Sequence, residues 1–331
     1  MMKNSSTQLG KILAILPNIQ KINLRCEADY YGISHLIAKK LGLPFTPRSL
    51  AGWKHGWLIA DLYYKEQLIG GSREANFLVP LVAHKHFLYE YGINSEAIGM
   101  PFVYVEDIVT DKIERVKKSL LVMPPHSLPY TIHAWDEDSY AKQISELQNQ
   151  FDLIVVCLHQ SCVDKRLWVD AFEKYDIPWI IGADAQDKNA LIRMYKIFHS
   201  FEFMTTNVIG SHIVYAAYCG CKVSIFGDYA EYSREDYKDE PFYCRFPFIL
   251  EHNIRYVSRK SIEKLFPYLF SHPKEASIRV KWAEEELGKV NKVTFDEFVK
   301  LLGWLPKEQF VFYAQKIYSK IKSIIIHMFK T

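Results

Sequence analysis

The sequence predicts an α/β protein of two domains, each built on a parallel sheet, followed by a helical tail. First, 331 residues are too many for one compact core and suit two domains of roughly 100 to 200 residues each. Second, 49% hydrophobic and 24% charged residues are the balance of an ordinary globular protein. Third, apolar runs alternate with helical patterns in the second half, which indicates parallel strands covered by helices on both faces.

In the first half of the chain, the hydrophobic spacing predicts helices and strands that alternate less regularly than those of the second half. Pro17 ends a short apolar run, Gly92 supplies a helix stop, and an apolar run around Pro101 closes the domain. In chain order the patterns predict a strand at 11–16, a helix at 30–41, a strand at 57–60, a helix at 74–91 and a strand at 97–104.

The second half predicts a regular alternation of strands and helices. Strands are predicted at 119–123, 153–158, 179–182, 203–205 and 223–226, and helices at 138–150, 168–175, 189–199 and 213–219. We therefore place a first domain at 1–112, a second domain at 113–275 and a helical tail at 276–331.

Composition limits the classes of partner and the cellular location that we expect for the protein. A net charge of +3 is too small for a nucleic-acid partner, which would require a concentrated basic face. The six cysteines are scattered without a Cys-x-x-Cys pair, which favours reduced thiols over a zinc or redox site. The N-terminus lacks the apolar segment of a signal peptide, and no uncharged run reaches membrane-spanning length, so we expect a cytoplasmic protein.

Polar residues follow the predicted strands of the second domain, at the sheet edge where α/β proteins bind ligands. His126 and Ser127 follow one strand, and a loop histidine there can bind a phosphate or sugar or cap a helix. Asp184 follows another strand, as a ligand contact or a helix N-cap. For His159, which also leaves a strand, a structural role is favoured.

The stretch 204–215 is the most informative in the chain. It contains a polar, glycine-containing loop that opens a helix, and such a helix start offers free N–H groups and a positive dipole end to an anion. The alternative is a plain Ser-capped helix with Gly210 at the turn. Neither of the two common phosphate-binding patterns, Gly-x-x-x-x-Gly-Lys-Ser/Thr and Gly-x-Gly-x-x-Gly, is present in the sequence. The candidate phosphate-binding residues are Thr205, Thr206, Asn207, Gly210, Ser211 and His212.

Three landmarks make the chain resemble bacterial surface-polysaccharide glycosyltransferases of the GT-B type, distantly like capsule and teichoic-acid transferases. They are the Trp-His-Gly-like loop at 53–57, the Ile-Gly-Met-Pro run at 98–101, and the loop, helix and strand at 205–227. The run at 120–127 also falls where the second domain of that family begins. The resemblance covers residues from about 50 to 230 and implies two Rossmann-like domains that face each other across a cleft.

The resemblance also implies roles for residues. The donor would be a nucleotide-sugar, held as a substrate by the 205–212 loop with His126, Ser127 and Asp184, and no cofactor is expected. His55 is the candidate general base, and Trp53, Lys54 and Gly56 would lie on the acceptor side. The Glu-x7-Glu motif of many retaining members is absent from the second domain, which favours an inverting transfer, and we expect that transfer to be metal-independent.

The tail suggests a membrane partner. Residues 309–330 mix lysines with aliphatic and aromatic residues at helical spacing and contain no acidic residue, which fits a helix lying on the inner face of the cytoplasmic membrane. The alternative is a terminal helix packed on the fold. A membrane-side position would suit a lipid-linked acceptor of a lipopolysaccharide, O-antigen or capsule pathway.

Other functions share this layout. A polyol-phosphate transferase of the teichoic-acid type has a similar Trp-His-Gly loop, and a noncatalytic nucleotide-sugar-binding component would bind donor without consuming it. A sugar-nucleotide epimerase would not need a basic tail. The sequence leaves these alternatives open.

Overall fold

A computed structural model gives the structure of the protein and describes residues 2–72, 74–128 and 130–328. It contains one parallel and one mainly parallel sheet, joined by the segment around the 3-10 helix Pro101–Asp107. The predicted fold class is confirmed: the chain is α/β, with two parallel-sheet domains and a C-terminal helix. The predicted tail residues 329–331 lie outside the described part.

The first sheet has the order β1-β2-β3, with all neighbouring strands parallel. Its strands are short, and helices lie before, between and within the connections. The elements are α1 (Met2–Ile15), the 3-10 segment Glu27–Gly32, α2 (Ile33–Lys40), β1 (Ala51–Trp53), α3 (Glu66–Ile69), β2 (Asn76–Val79), α4 (Val82–Glu90) and β3 (Asn94–Ala97).

The second sheet is larger and carries longer helices. Its elements begin with β4 (Val116–Val122), α5 (Glu137–Ser145), β5 (Leu153–Leu158), α6 (Gln160–Asp164), α7 (Val169–Lys174), β6 (Trp179–Ile181) and α8 (Ala190–Ser200). They continue with β7 (Phe201–Thr206), α9 (Ser211–Tyr218), β8 (Lys222–Ile225), α10 (Pro241–Arg245), α11 (Pro247–Val257), α12 (Arg259–Leu265) and β9 (Ser277–Ile278). After β9 come α13 (Val280–Glu286), α14 (Phe295–Leu301) and α15 (Pro306–Met328).

The strand order of the second sheet is β6-β5-β4-β7-β8-β9, with β9 antiparallel to β8. Counted within the domain, the parallel part has the order 3-2-1-4-5 of a Rossmann sheet. The direction of winding reverses between β4 and β7. Ligands of such sheets bind in the crevice beyond the carboxyl ends of the two strands at this switch point.

Each end of the chain packs on the domain that is more distant from it in the sequence. Helix α1 contacts α8 and β5, and its Ile12 is buried in the core. At the other end, the Leu50 N–H donates to the Leu302 carbonyl at 2.8 Å, and Trp304 donates to Ser49. The two domains are therefore tied together at both ends of the chain.

Several first-half predictions were wrong. The strand predicted at 11–16 is the end of α1, because burial of Ile12 against the second domain selects one face of a helix. Residues 57–60 form no strand; the strand lies earlier, in β1. The helix predicted at 74–91 is split into β2 and α4 at Pro80, which has no N–H to continue a helix, and the run at 97–104 contains a 3-10 helix.

The second-half predictions agree closely with the structure. The strand at 153–158 matches β5 residue for residue, and the other predicted strands and helices overlap the observed ones. The domain boundaries stay a prediction. Strand β9, which pairs with β8, lies beyond the boundary placed at 275.

Candidate active site in the interdomain cleft

The second-domain wall of the cleft carries three histidines. His126 follows β4, His159 follows β5, and His212 lies in the first turn of α9, which follows β7. The rings of His126 and His159 are 5.2 Å apart between centroids. These side chains occupy the carboxyl edge of the sheet at its switch point, the position that this architecture provides for a ligand.

Lowered pKa values keep the three imidazoles neutral at pH 7. Burial lowers the pKa of His159 to about 3 and that of His212 to about 3, and in both cases the nearby His126 lowers the pKa further. Desolvation by neighbouring protein atoms, followed by the charge of His133, also lowers the pKa of His126, although the residue is exposed. A neutral imidazole at pH 7 can donate an N–H to a phosphate oxygen and can accept a proton.

The loop between β7 and α9 is held by internal hydrogen bonds. The Thr206 hydroxyl lies 2.9 Å from His212 Nε2 and also bonds the backbone of Val208. The Asn207 amide donates to the Asp228 carbonyl, and its Oδ1 is buried without a partner in the described residues. Thr206 thus orients His212, and Asn207 keeps a free acceptor.

Other predicted donor-side residues serve the fold in this structure. Thr205 is fully buried, and its hydroxyl bonds Ser224 on the neighbouring strand rather than facing the cleft. Ser127 is also buried, in a network with Thr131 and Lys165. Asp184 accepts from the Gln186 N–H within the loop and is not the N-cap of α8, which is Asn189, and its other oxygen lies 3.6 Å from Lys21.

The start of α9 faces the first domain. Gly210 has an extended backbone, and Ser211 accepts a hydrogen bond from the Trp57 N–H at 2.9 Å. From the same helix, the Tyr215 hydroxyl donates to the His55 carbonyl at 2.9 Å. The predicted phosphate loop and the predicted base loop are therefore neighbours across the cleft.

His55 lies on the first-domain wall, in the loop after β1. Its ring stacks on Tyr30 with 4.9 Å between centroids and a 7° angle between planes. Burial lowers the pKa of His55 to about 4, and the charge of Lys54 lowers it further. The Nδ1 atom of His55 is buried without a hydrogen-bond partner in the described residues.

The other acceptor-side predictions have different outcomes. Trp53 is completely buried, donates to the Gly99 carbonyl and packs on Tyr104 and Phe298, so it supports the core and does not face an acceptor. The Lys54 ammonium donates to the Gln67 carbonyl at 2.8 Å. Gly56 forms a bend in the loop, and no atom lies near the place of a side chain.

Tyr31 connects the two walls. Its ring is 5.7 Å from His55 and 6.5 Å from His159, so a chain of ring contacts runs from His55 through Tyr31 and His159 to His126. Tyr31 has a φ of 57°, which is unfavourable for a residue with a side chain, and its N–H donates to the Ala185 carbonyl of the second domain. Strain of this kind persists where surrounding contacts enforce it, often at functional sites.

The sequence prediction missed Tyr30, Tyr31, Tyr215 and, as a ligand-facing residue, His159. The sequence signal that could have identified His159 is its position directly after a strand, because that end of the strand lies at the ligand-binding edge of such a sheet. Tyr215 lies one helical turn after Ser211, on the same face of α9. The roles of Tyr30 and Tyr31 depend on tertiary contacts that no spacing in the sequence reveals.

The described residues contain no group of three or more His, Cys, Asp or Glu side chains placed to hold a metal ion. Within the same part of the chain, every helix is too short or too polar to cross a bilayer.

Comparison with known proteins adds little to this geometry. No protein-family model matches the chain, and no curated protein matches it. Among solved structures, it is similar to the pneumococcal O-GlcNAc transferase GtfA in complex with UDP and GlcNAc, with 11% sequence identity and a TM-score of 0.35. The match covers 76% of this chain, which spans about half of that one (51%).

Proposed function

We propose that the protein is a glycosyltransferase that moves a sugar from a nucleotide-activated donor to a growing surface glycan. The observation that carries this proposal is the chain of rings from His55 to His126 across a cleft at the switch point of a Rossmann sheet. One wall offers N–H donors for a phosphate, and the other offers an unprotonated nitrogen. A transfer between two bound substrates needs both.

The proposed reaction inverts the configuration at the anomeric carbon of the sugar and uses no metal ion. The acceptor hydroxyl oxygen attacks the anomeric carbon, the bond from that carbon to the phosphate oxygen breaks, and the nucleotide leaves with the bonding electron pair. His55 accepts the hydroxyl proton. His126, His159, His212 and the N–H groups at the start of α9 stabilise the charge that develops on the leaving phosphate.

A ligand panel tests the donor. Thermal unfolding of the full chain would be measured with UDP-, GDP-, dTDP-, CDP- and CMP-linked compounds. We expect one class of compound to stabilise the wild type and to bind His212→Ala at least about 10-fold more weakly. His55→Ala should bind the same compound with unchanged affinity but should no longer transfer the sugar. Stabilisation by none of these compounds would contradict the proposal, and unchanged turnover of His55→Ala would remove His55 as the base.

We further propose that α15 holds the protein on an anionic membrane surface. From Phe310 to Lys322 the helix is exposed except at Phe312, and this stretch carries Lys316, Lys320 and Lys322. Lysines beside exposed aliphatic and aromatic residues favour the interface of an anionic bilayer. Vesicles with and without anionic lipid would be floated with the full chain and with a chain that ends at residue 305; equal flotation of both chains would refute the anchor.

A further inference from the structure

A groove of about 870 Å³ lies between α15 and the first domain. Leu50 from the first domain and Leu305, Val311 and Phe312 from the C-terminal region give it an apolar lining. Its volume is within the range of cavities that enclose a small ligand. Beyond Phe312 the described side chains of α15 are exposed, and Gln315 is the last of them that lines the groove.

Two cations line the same groove. The Arg48 guanidinium lies 5.3 Å from the centre of the Phe312 ring, and Lys307 lies near the start of α15. Neither side chain forms an ion pair with any residue that the structure describes. Glu74 and Glu308 also line the groove, so its four charges balance and the apolar lining must supply most of the affinity for any ligand.

The groove leads towards the cleft. Glu74 lines both the groove and a second cavity of about 340 Å³, which is also lined by Glu27 and Tyr30. The Tyr30 ring in turn stacks on His55, the proposed base. A molecule that extended from the groove past Glu74 would therefore place its end beside the catalytic side of the first domain.

We propose that this groove binds the apolar chain of a single-chain lipid phosphate that carries the acceptor. Arg48 and Lys307 contact the phosphate, and the attached head group extends past Glu74 towards Tyr30 and His55. This inference rests on the proposed function and names its acceptor class. It also gives α15 two tasks, because the helix that meets the membrane forms one wall of the lipid site.

Farnesyl phosphate, kept below its micelle concentration, serves as the probe and is titrated into the full chain by calorimetry. Val311→Glu places a charge in the groove, whereas Phe310→Glu places the same charge at the neighbouring position, which is 74% exposed and outside the groove. We expect Val311→Glu to weaken binding at least about 10-fold and Phe310→Glu to change it less than about 2-fold. Arg48→Gln should weaken binding about 10-fold, and inorganic phosphate should not displace the probe.

Several outcomes would overturn the inference. Absence of binding to the wild type would do so, as would equal losses in Val311→Glu and Phe310→Glu, which would indicate adsorption to the helix surface. Displacement by inorganic phosphate would show that the apolar chain is not recognised. Nucleotide binding is measured on the same proteins: if it is absent while farnesyl phosphate still binds in the groove, the proposed function fails and the lipid site stands.

Discussion

The imidazole of His55 lies parallel to the phenol ring of Tyr30, with 4.9 Å between their centroids. This contact removes one face of His55 from water, and burial is the main cause of its lowered pKa. We expect Tyr30→Ala to raise the pKa of His55 from about 4 towards 6.5, by about 1 unit or more. Proton NMR titration of the imidazole would measure it. Tyr30→Phe keeps the stacked ring and should leave the pKa unchanged; an unchanged pKa in both variants would contradict burial by Tyr30 as the cause.

His159 should make the protein sensitive to acid. Its pKa in the folded state, about 3, lies below the 6.5 of an unfolded chain, so the unfolded state binds the proton first and the free energy of unfolding falls as pH drops below 6.5. The loss from this one residue is about 2 kcal/mol at pH 5. The free energy of unfolding would be measured with urea at pH 7.5 and at pH 5. Its decrease between the two pH values should be about 2 kcal/mol smaller in His159→Asn than in the wild type.

Asn is the matched substitution for His159. The His159 Nδ1 accepts from the Ser161 N–H and caps α6, and an Asn side-chain oxygen can make the same cap. The variant removes only the titrating ring. Equal acid losses in the two proteins would mean that His159 takes up a proton in the folded state.

The second domain could be predicted from sequence, and the first could not, for a physical reason. All six residues of β5 and the last four of β4 are buried, so the apolar runs there are nearly continuous and stand out from the helices. In the first domain, β1 has only three residues and β2 only four, and β2 is followed by α4 after just two residues, the first of which is Pro80. Such short elements carry little periodicity, and α1 takes its helical form partly from contacts with the other domain.

The candidate site was predictable only where it follows strand ends. His126 and the β7–α9 loop are placed by the topological rule for α/β sheets, whereas the partners of His55 come from residues 25 and 24 positions earlier in the chain. Thr205 illustrates the limit of the rule. It sits at a strand end, but its hydroxyl points along the sheet to Ser224 rather than into the cleft.

Glu27 should oppose the acid sensitivity of the histidines. Burial raises its pKa to about 7, above the 4.5 of an unfolded chain, so the folded state keeps the proton longer. Its contribution to the free energy of unfolding is favourable below pH 4.5 and is lost as pH rises to about 7, with a total of about 3 kcal/mol. Glu27→Gln stays neutral, so its free energy of unfolding relative to the wild type should rise by that amount between pH 4.5 and pH 8. A pH-independent difference in urea unfolding would show that Glu27 ionises normally.

Gly32 lets the first domain meet the second at close range. It has a φ of 80°, and a Cβ at this position would lie 2.0 Å from the Lys188 carbonyl oxygen, so Gly32→Ala must displace backbone as well as strain it. Gly42 is the matched control, because its φ is 68° and a Cβ there would meet nothing within 4 Å. We expect Gly42→Ala to lower the free energy of unfolding by about 1 kcal/mol, the cost of the left-handed backbone alone. Gly32→Ala should lower it by more than about 3 kcal/mol in urea unfolding, since a buried clash is added to that strain. Equal losses in the two variants would show that the contact between Gly32 and Lys188 does not constrain the approach of the domains.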